Sequence, residues 1–209
     1  MNDAQHPIGT TFSPATSALV VIDMQNAFLD PDAGFRFTPP AREIVAPINH
    51  LARWFRESGS RVVWVQTTSR DDPDDWPSLR RLLGATAMDH RTRVLSPGSP
   101  GHRMWPGMDV QAKDDIVLKH RYSAMIEPDA GLEELLRVEG VNHLFIAGTQ
   151  TNICCESTAR DAMMRGFDAW LVRDCLAAED EAVHAASVAH YESAFGRSLT
   201  SAEVRHLPR

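Results

Sequence analysis

Short apolar segments alternate with longer amphipathic segments along most of the chain. The apolar segments are five to seven residues long and rich in β-branched residues, which is typical of strands buried on both faces of a sheet. These predicted strands cover residues 18–23, 61–67, 115–119, 141–147 and 169–173. The amphipathic segments repeat apolar residues at three- and four-residue spacing, as helices packed on a sheet do. They predict helices at about 41–57, 130–138, 152–165 and 179–195.

This alternation predicts an α/β fold, a three-layer sandwich in which helices flank a mainly parallel sheet. A chain of 209 residues suits one domain, spanning 1–209. We expect residues 1–14 to form a flexible N-terminus. Residues 69–108 are rich in proline and glycine, with a helical pattern only near 79–83. Because long loops in compact domains usually carry function, we predict that 69–108 forms a loop on the substrate side.

Composition and charge exclude several classes of protein. Hydrophobic residues make up 43% and charged residues 23% of the chain, which is typical of a globular protein. The net charge of −7 disfavours nucleic acid and anionic membranes as partners. No apolar run approaches the roughly 20 residues that span a bilayer, and the N-terminus lacks the features of a signal peptide. Three cysteines, two of them adjacent, disfavour a disulfide framework and favour the reducing cytoplasm.

Reactive side chains follow three of the predicted strands. Asp23 ends the first strand, Lys119 ends the third, and the pair Cys154 and Cys155 follows the fourth. Ligands of parallel α/β sheets bind beyond the carboxyl ends of the strands. We therefore expect these side chains to meet at one edge of the sheet, around a small-molecule substrate.

Helical periodicity distinguishes the two adjacent cysteines. Cys155 shares a stripe with small and apolar residues, namely Ala159, Ala162 and Met163, and is expected to pack in the core. Cys154 shares a stripe with mostly polar residues, namely Ser157, Thr158, Asp161 and Arg165. In the first turn of a helix, free N–H groups and the helix dipole would favour its thiolate. The residues alone leave open whether Cys154 is a nucleophile or an ordinary buried thiol.

Three other kinds of site fit the sequence poorly. Cys154 and Arg160 have the Cys-x5-Arg spacing of a phosphatase loop, but the residues between them lack glycine and include Glu156. An Asp-x-Asp phosphotransfer motif at Asp23 would need a second carboxylate where Gln25 stands. The nine histidines include no His-x-His pair, and no Cys-x-x-Cys occurs. We expect no metal and no cofactor.

Three segments of the chain resemble the isochorismatase-like cysteine hydrolase superfamily. The segment ALVVIDMQNAF resembles its aspartate motif, DIVLKHRYSAM its lysine motif, and AGTQTNICCESTARDAMMRGF its nucleophile motif. The resemblance implies the fold of that superfamily and a catalytic triad of Asp23, Lys119 and Cys154. It also implies an amidohydrolase that cleaves a C–N bond of a small amide, ureido or carbamoyl compound through an acyl-enzyme at Cys154. A homo-oligomer, either a dimer or a tetramer, is implied by the superfamily as well.

The resemblance extends to the groups around the triad. It implies a cis peptide bond between Thr149 and Gln150, with the backbone N–H groups of Gln150 and Cys154 forming an oxyanion hole. We further expect four side chains to contact the substrate, namely Gln25, Phe28, Tyr122 and Gln150.

Two other functions remain open on the sequence alone. A true isochorismatase would cleave a vinyl ether, and a catalytically silent relative would serve as an interaction subunit. A metal-dependent nicotinamidase is disfavoured, because QTTSRDDPDDW offers carboxylates but no histidine where such enzymes carry an Asp-x-His cluster. The sequence does not specify the substrate.

Overall fold

A six-stranded, all-parallel sheet forms the centre of the molecule, with strand order β3-β2-β1-β4-β5-β6. The computed structural model describes residues 12–33, 35–72, 74–126 and 131–208. The strands are β1 (Ser17–Ile22), β2 (Arg61–Thr67), β3 (Asp115–Lys119), β4 (His143–Thr149), β5 (Asp168–Ala177) and β6 (Arg197–Leu199). The predicted α/β fold is confirmed, and the sheet is wholly parallel within these residues.

Helices cover both faces of this sheet. They are α1 (Asn26–Leu29), α2 (Val45–Ser58), α3 (Pro77–Leu83), α4 (Ala85–Leu95), α5 (Leu132–Val138), α6 (Glu156–Met164), α7 (Glu181–Ala194) and α8 (Ser201–Arg205). A π-helical turn, Thr151–Cys155, precedes α6. Among the helices of the described ranges, none combines the length and the apolar character that a bilayer crossing requires.

Alternate residues of β1 enter two separate cores. Leu19 and Val21 pack into the core beneath α2, whereas Val20 and Ile22 pack into the core beneath α6. Every residue of β1 is buried, as expected for a central parallel strand covered on both sides. The three layers of the predicted sandwich are therefore helices, sheet and helices.

The segment 69–108 is more regular than the sequence predicted. The pattern near 79–83 belongs to α3, but α4 was not predicted at all. The buried face of α4 consists of Met88, Arg91 and Leu95. Because an arginine occupies the middle of that face, the apolar repeat that identifies a helix is interrupted.

The two ends of the domain also differ from prediction. Of the N-terminus that we expected to be flexible, residues 1–11 lie outside the described residues. Phe12 is buried, with its ring centroid 4.7 Å from Trp54 and 5.5 Å from Phe55. At the other end, β6 and α8 were missed because they are only three and five residues long, too short to show a period.

Gly148 brings β4 against the end of β1. It pairs with Ile22, the residue before Asp23, and its φ is +114°. A Cβ at this position would lie 2.7 Å from Ile22 N and closer still to Ile22 O. Only glycine permits this approach, which places the strand end that carries Asp23 beside the strand end that leads to Cys154.

We predict that Gly148→Ala destabilises the fold by more than about 3 kcal/mol, since it adds a backbone clash to an unfavourable φ. Gly166→Ala is the matched control, because Gly166 also has a positive φ of 86° but open space around it. The control should cost only about 1–2 kcal/mol. Chemical denaturation of both variants measures the two values, and equal losses would contradict the proposed close approach.

Candidate active site

Asp23 lies directly after β1 and is fully buried. Its φ of 56° makes it the one non-glycine residue with a positive φ in the described part of the chain. Its N–H donates to Val65 O at 2.9 Å. Non-glycine residues in this backbone region are uncommon and concentrate at functional sites.

A buried ion pair joins Asp23 to Lys119, the last residue of β3. Lys119 Nζ lies 2.9 Å from Asp23 Oδ2, and the two side chains are 1% and 0% exposed. Lys119 also donates to Arg121 O at 3.1 Å. Burial alone would lower the pKa of Lys119, but the negative charge of Asp23, together with Cys154, outweighs burial and raises it. The lysine is therefore a permanent cation of the site.

Thr67, at the end of β2, connects the two members of this pair. Its hydroxyl donates to Asp23 Oδ1 at 2.9 Å and accepts from Lys119 Nζ at 2.5 Å. Its backbone N–H donates to Asp23 Oδ1 at 2.9 Å. Thus Oδ1 accepts two hydrogen bonds, whereas Oδ2 faces the ammonium without a directed hydrogen bond from a described residue. Thr67 was not predicted from the sequence, although its position at a strand end was a signal.

Cys154 lies in the π-helical turn after β4 and lines a cavity. The charges of Asp23 and Lys119 both act on its thiol. Burial raises the pKa of the Cys154 thiol to about 12; Lys119 opposes this rise, whereas Asp23 adds to it. The thiolate that we expected at a helix start is therefore not the resting state. With the side chain only 7% exposed, loss of solvation exceeds the attraction of one ammonium.

The two adjacent cysteines differ in what they contact. Cys155 is fully buried, and its Sγ lies 4.0 Å from Ala147 O, as its apolar stripe predicted. The stripe of Cys154 is partly covered too, since Thr158 is buried and donates to Cys154 O at 2.7 Å. Thr158 Oγ1 also accepts from Ala124 N at 3.1 Å. The segment after β3 thus covers the helix face that carries Cys154 and Thr158. The polar residues of that face had suggested that it was exposed to solvent.

Gln150 lies between β4 and the π-helical turn. The peptide bond between Thr149 and Gln150 is cis. Gln150 O accepts from the N–H groups of Ile153 and Cys155 at 3.2 Å, and its side-chain amide donates to Thr38 Oγ1 at 3.0 Å. Among the described residues no acceptor pairs with the backbone N–H of Gln150. That donor is therefore available to an oxygen atom of a ligand.

A cavity of about 80 Å³ opens beside Cys154. Of the four side chains expected to contact the substrate, Phe28, Tyr122 and Gln150 line it. The wall also includes Arg91 from α4, which was not predicted from the sequence. An arginine within an otherwise buried helical stripe was the available signal, but α4 itself had not been recognised.

Gln25 does not line the cavity, which corrects our expectation. Its side-chain amide is fully buried and donates to Thr67 O at 3.0 Å and His102 O at 2.8 Å. Its Oε1 accepts from Thr67 N at 2.8 Å. Because protein groups satisfy this amide completely, Gln25 fixes the end of β2 and does not face a ligand.

Metal-ligating side chains do not gather in this site. Across the residues that the structure describes, no group of three or more histidine, cysteine, aspartate or glutamate side chains is placed to hold a metal ion. The cation beside Asp23 is instead the ammonium of Lys119.

The arrangement of an aspartate, a lysine and a cysteine at neighbouring strand ends can be compared with known proteins. The family model of the isochorismatase domain matches residues 17–203. The chain belongs to the isochorismatase family. Membership confirms the resemblance drawn from the three sequence motifs, and the amidohydrolases among its relatives are consistent with a hydrolase.

Individual relatives match most of this chain. The chain is 28% identical over 207 residues to the ureidoacrylate amidohydrolase RutB of Caulobacter segnis, and the match covers 92% of this chain and 85% of the relative. A cysteine hydrolase from Pseudomonas syringae pv. phaseolicola 1448A superposes with a TM-score of 0.85 at 28% identity, covering 94% and 93% of the two chains. The N-carbamoylsarcosine amidase of Thermoplasma acidophilum superposes with a TM-score of 0.72 at 28% identity, covering 89% and 96%.

We predict that resting Cys154 reacts more slowly with iodoacetamide at pH 7.5 than free cysteine does. A thiol with a pKa of about 12 has a thiolate fraction on the order of a thousandfold below that of a thiol with an ordinary pKa of about 8.5. The rate should rise about tenfold per pH unit up to pH 10. Peptide mass spectrometry assigns the label, with Cys154→Ser as the control. A faster reaction than that of free cysteine at pH 7.5 would show a resting thiolate and contradict this assignment.

Proposed function

We propose that this protein is a cysteine-dependent amidohydrolase that cleaves a C–N bond of a small amide, ureido or carbamoyl compound. The observation that carries the proposal is the buried ion pair of Asp23 and Lys119 beside the thiol of Cys154. The ion pair supplies a base and a cation to a nucleophile that lines the cavity. This combination suits attack on a carbonyl that needs no metal.

The first half of the reaction begins with a thiol, because burial keeps Cys154 protonated. Asp23 takes the thiol proton and stays beside the ammonium of Lys119. The sulfur forms a bond to the carbonyl carbon, and the carbonyl oxygen becomes an oxyanion. The free N–H of Gln150 and the N–H of Cys154 would donate to that oxyanion.

Collapse of the tetrahedral intermediate breaks the C–N bond. The leaving nitrogen takes the proton from Asp23 and departs as an amine or ammonia, which leaves an acyl group on Cys154. In the second half, Asp23 deprotonates water, the hydroxide attacks the acyl carbon, and the departing sulfur recovers the proton. Throughout both halves Lys119 remains protonated, since its pKa is raised, and it stabilises the charge that moves between sulfur and carboxylate.

The comparisons support the class of bond. One relative is named as an amidohydrolase and another as an amidase, and this chain matches more than four-fifths of the length of each. The intact cysteine also favours an amidohydrolase over vinyl-ether cleavage, for which an aspartate alone is a sufficient acid and base.

Replacement of either cysteine provides the main test. We expect Cys154→Ala to lower ammonia release from a panel of amides, ureas and carbamoyl compounds by about a thousandfold or more, because no acyl-enzyme can form. Cys155→Ala is the matched control. It should keep most of the activity and lose about 0.5–3 kcal/mol of stability, since Cys155 only packs in the core.

Two observations would redirect this proposal. Acid-quenched wild-type protein should carry the acyl group on the peptide that contains Cys154, and its absence at every time point would contradict a covalent route. If Cys154→Ala cleaved isochorismate as fast as the wild type does, vinyl-ether hydrolysis would replace the amidohydrolase proposal.

A second prediction concerns Thr67, which we propose as a positioning residue. Thr67→Val removes the hydroxyl that connects Asp23 and Lys119 and should lower kcat about 10- to 100-fold, since hydrogen bonds to charged groups contribute about 1.5–3 kcal/mol. Thr67→Ser keeps the hydroxyl and should restore most of the rate. Steady-state kinetics separate kcat from KM. A lower kcat in Thr67→Ser with an unchanged kcat in Thr67→Val would mean that the methyl group matters and not the hydroxyl.

A further inference from the structure

Arg91 is a buried cation in the wall of the cavity. Its side chain projects from α4, and the residue is 5% exposed. Its Nη1 donates to Ser69 Oγ at 2.8 Å, and the guanidinium lies 5.6 Å from the centroid of the Trp76 ring. Within the described part of the chain no other hydrogen bond and no ion pair engages Arg91.

Other arginines near this helix have carboxylate partners. Arg80 lies 2.9 Å from Asp89, and Arg121 lies 3.2 Å from Asp75. Both are more exposed than Arg91, with side chains that are 30% and 24% exposed. Of these three arginines, Arg91 is the most buried and the one without a carboxylate partner among the described residues.

A buried guanidinium without an anion is energetically unfavourable. Arginine stays charged, offers five N–H donors and loses its hydration on burial. Burial lowers the pKa of Arg91, and the attraction of surrounding groups, including Asp23 and Asp75, does not restore it. Only one donor is satisfied by Ser69. The remaining donors fit an anion that enters the cavity from outside.

The proposed anion site and the reactive sulfur belong to one cavity. Arg91 and Cys154 both line it, together with the apolar residues Phe28, Phe35, Leu83, Leu95 and Ile153. Arg36 lines it too, but its side chain is 51% exposed and lies 3.6 Å from Glu179. The apolar part of the wall suits a hydrocarbon spacer. The site therefore suits a short molecule with an amide-type carbonyl at one end and an anion at the other.

We propose that Arg91 binds the carboxylate of the substrate, so that the enzyme acts on short acidic amide, ureido or carbamoyl compounds. The substrate class rests on the proposed function, whereas binding of a carboxylate at Arg91 does not. The planar guanidinium can donate two parallel N–H groups to the two carboxylate oxygens, a geometry that a lysine cannot reproduce. The volume of about 80 Å³ limits the spacer to a few carbon atoms.

Matched pairs of ureas test the substrate class on the wild-type protein. N-carbamoylglycine, N-carbamoyl-β-alanine and N-carbamoyl-4-aminobutyrate are each compared with N-ethylurea, N-propylurea and N-butylurea, which lack the carboxylate. We expect kcat/KM for ammonia release to favour the acid by at least about tenfold in the best pair, because a charge-assisted pair replaces an apolar end. Equal or lower values for every acid would overturn the proposal.

Substitution on α4 tests the residue. Arg91→Gln should reduce the ratio of acid to neutral kcat/KM to near one, and Arg91→Lys should give an intermediate ratio. The ratio is insensitive to a fraction of unfolded enzyme, since that fraction lowers both rates equally. Arg93→Gln is the matched control, because Arg93 is exposed on the same helix and does not line the cavity, and it should keep the wild-type ratio. A wild-type ratio in Arg91→Gln would overturn the assignment.

Binding separates this inference from the hydrolysis proposal. Calorimetry with Cys154→Ala measures binding of the three acids and three ureas without turnover. One outcome is that Cys154→Ala binds an acid more tightly than its neutral urea, that adding Arg91→Gln weakens this binding at least about tenfold, and that the wild type releases no ammonia. This outcome would support Arg91 and reject the hydrolase. Ammonia release from neutral ureas without any preference for the acids in binding would support the hydrolase and reject Arg91.

Discussion

The buried ion pair of Asp23 and Lys119 is the constraint on which the site depends. Two charges that are 0% and 1% exposed would each be strongly unfavourable alone, because removal from water costs several kcal/mol for an ion. They are compatible with the interior because they lie 2.9 Å apart and because Thr67 bonds to both. The sheet order β3-β2-β1 sets these three residues side by side at adjacent strand ends. Any change that separates the strand ends leaves a charge unpaired.

The same burial determines where the proton of Cys154 resides. A thiol in water ionises near pH 8.5, and a neighbouring ammonium would lower that value. Here the thiol is almost completely desolvated, and the lysine is already engaged by a carboxylate, so the pKa of Cys154 rises to about 12. The proposed chemistry therefore depends on proton transfer to Asp23 in the presence of a substrate, and not on a standing thiolate.

The cavity wall adds a second, differently placed charge. Lys119 is neutralised by Asp23 within the protein, whereas Arg91 is held by a hydroxyl and an aromatic ring. In the proposed reaction the first cation serves the reacting atoms, and in the proposed substrate site the second binds an incoming anion. The two cations also differ in sequence context: Lys119 ends a regular strand, and Arg91 interrupts the apolar face of a helix.

The sequence by itself determined the alternation of strands and helices, the family, and the strand-end positions of Asp23, Lys119 and Cys154. It could do so because period and strand-end position are local properties of a chain. Only the tertiary structure revealed the contacts of Thr67 with the ion pair, the place of Arg91 in the cavity wall and the role of Gln25 in fixing the end of β2. Each depends on contacts between residues that are far apart in sequence. The same is true of the protonation of Cys154, since a pKa reflects the solvent that folding removes. Helix α4 stayed hidden for a related reason: an arginine in its buried face is acceptable only next to the cavity that the folded chain creates.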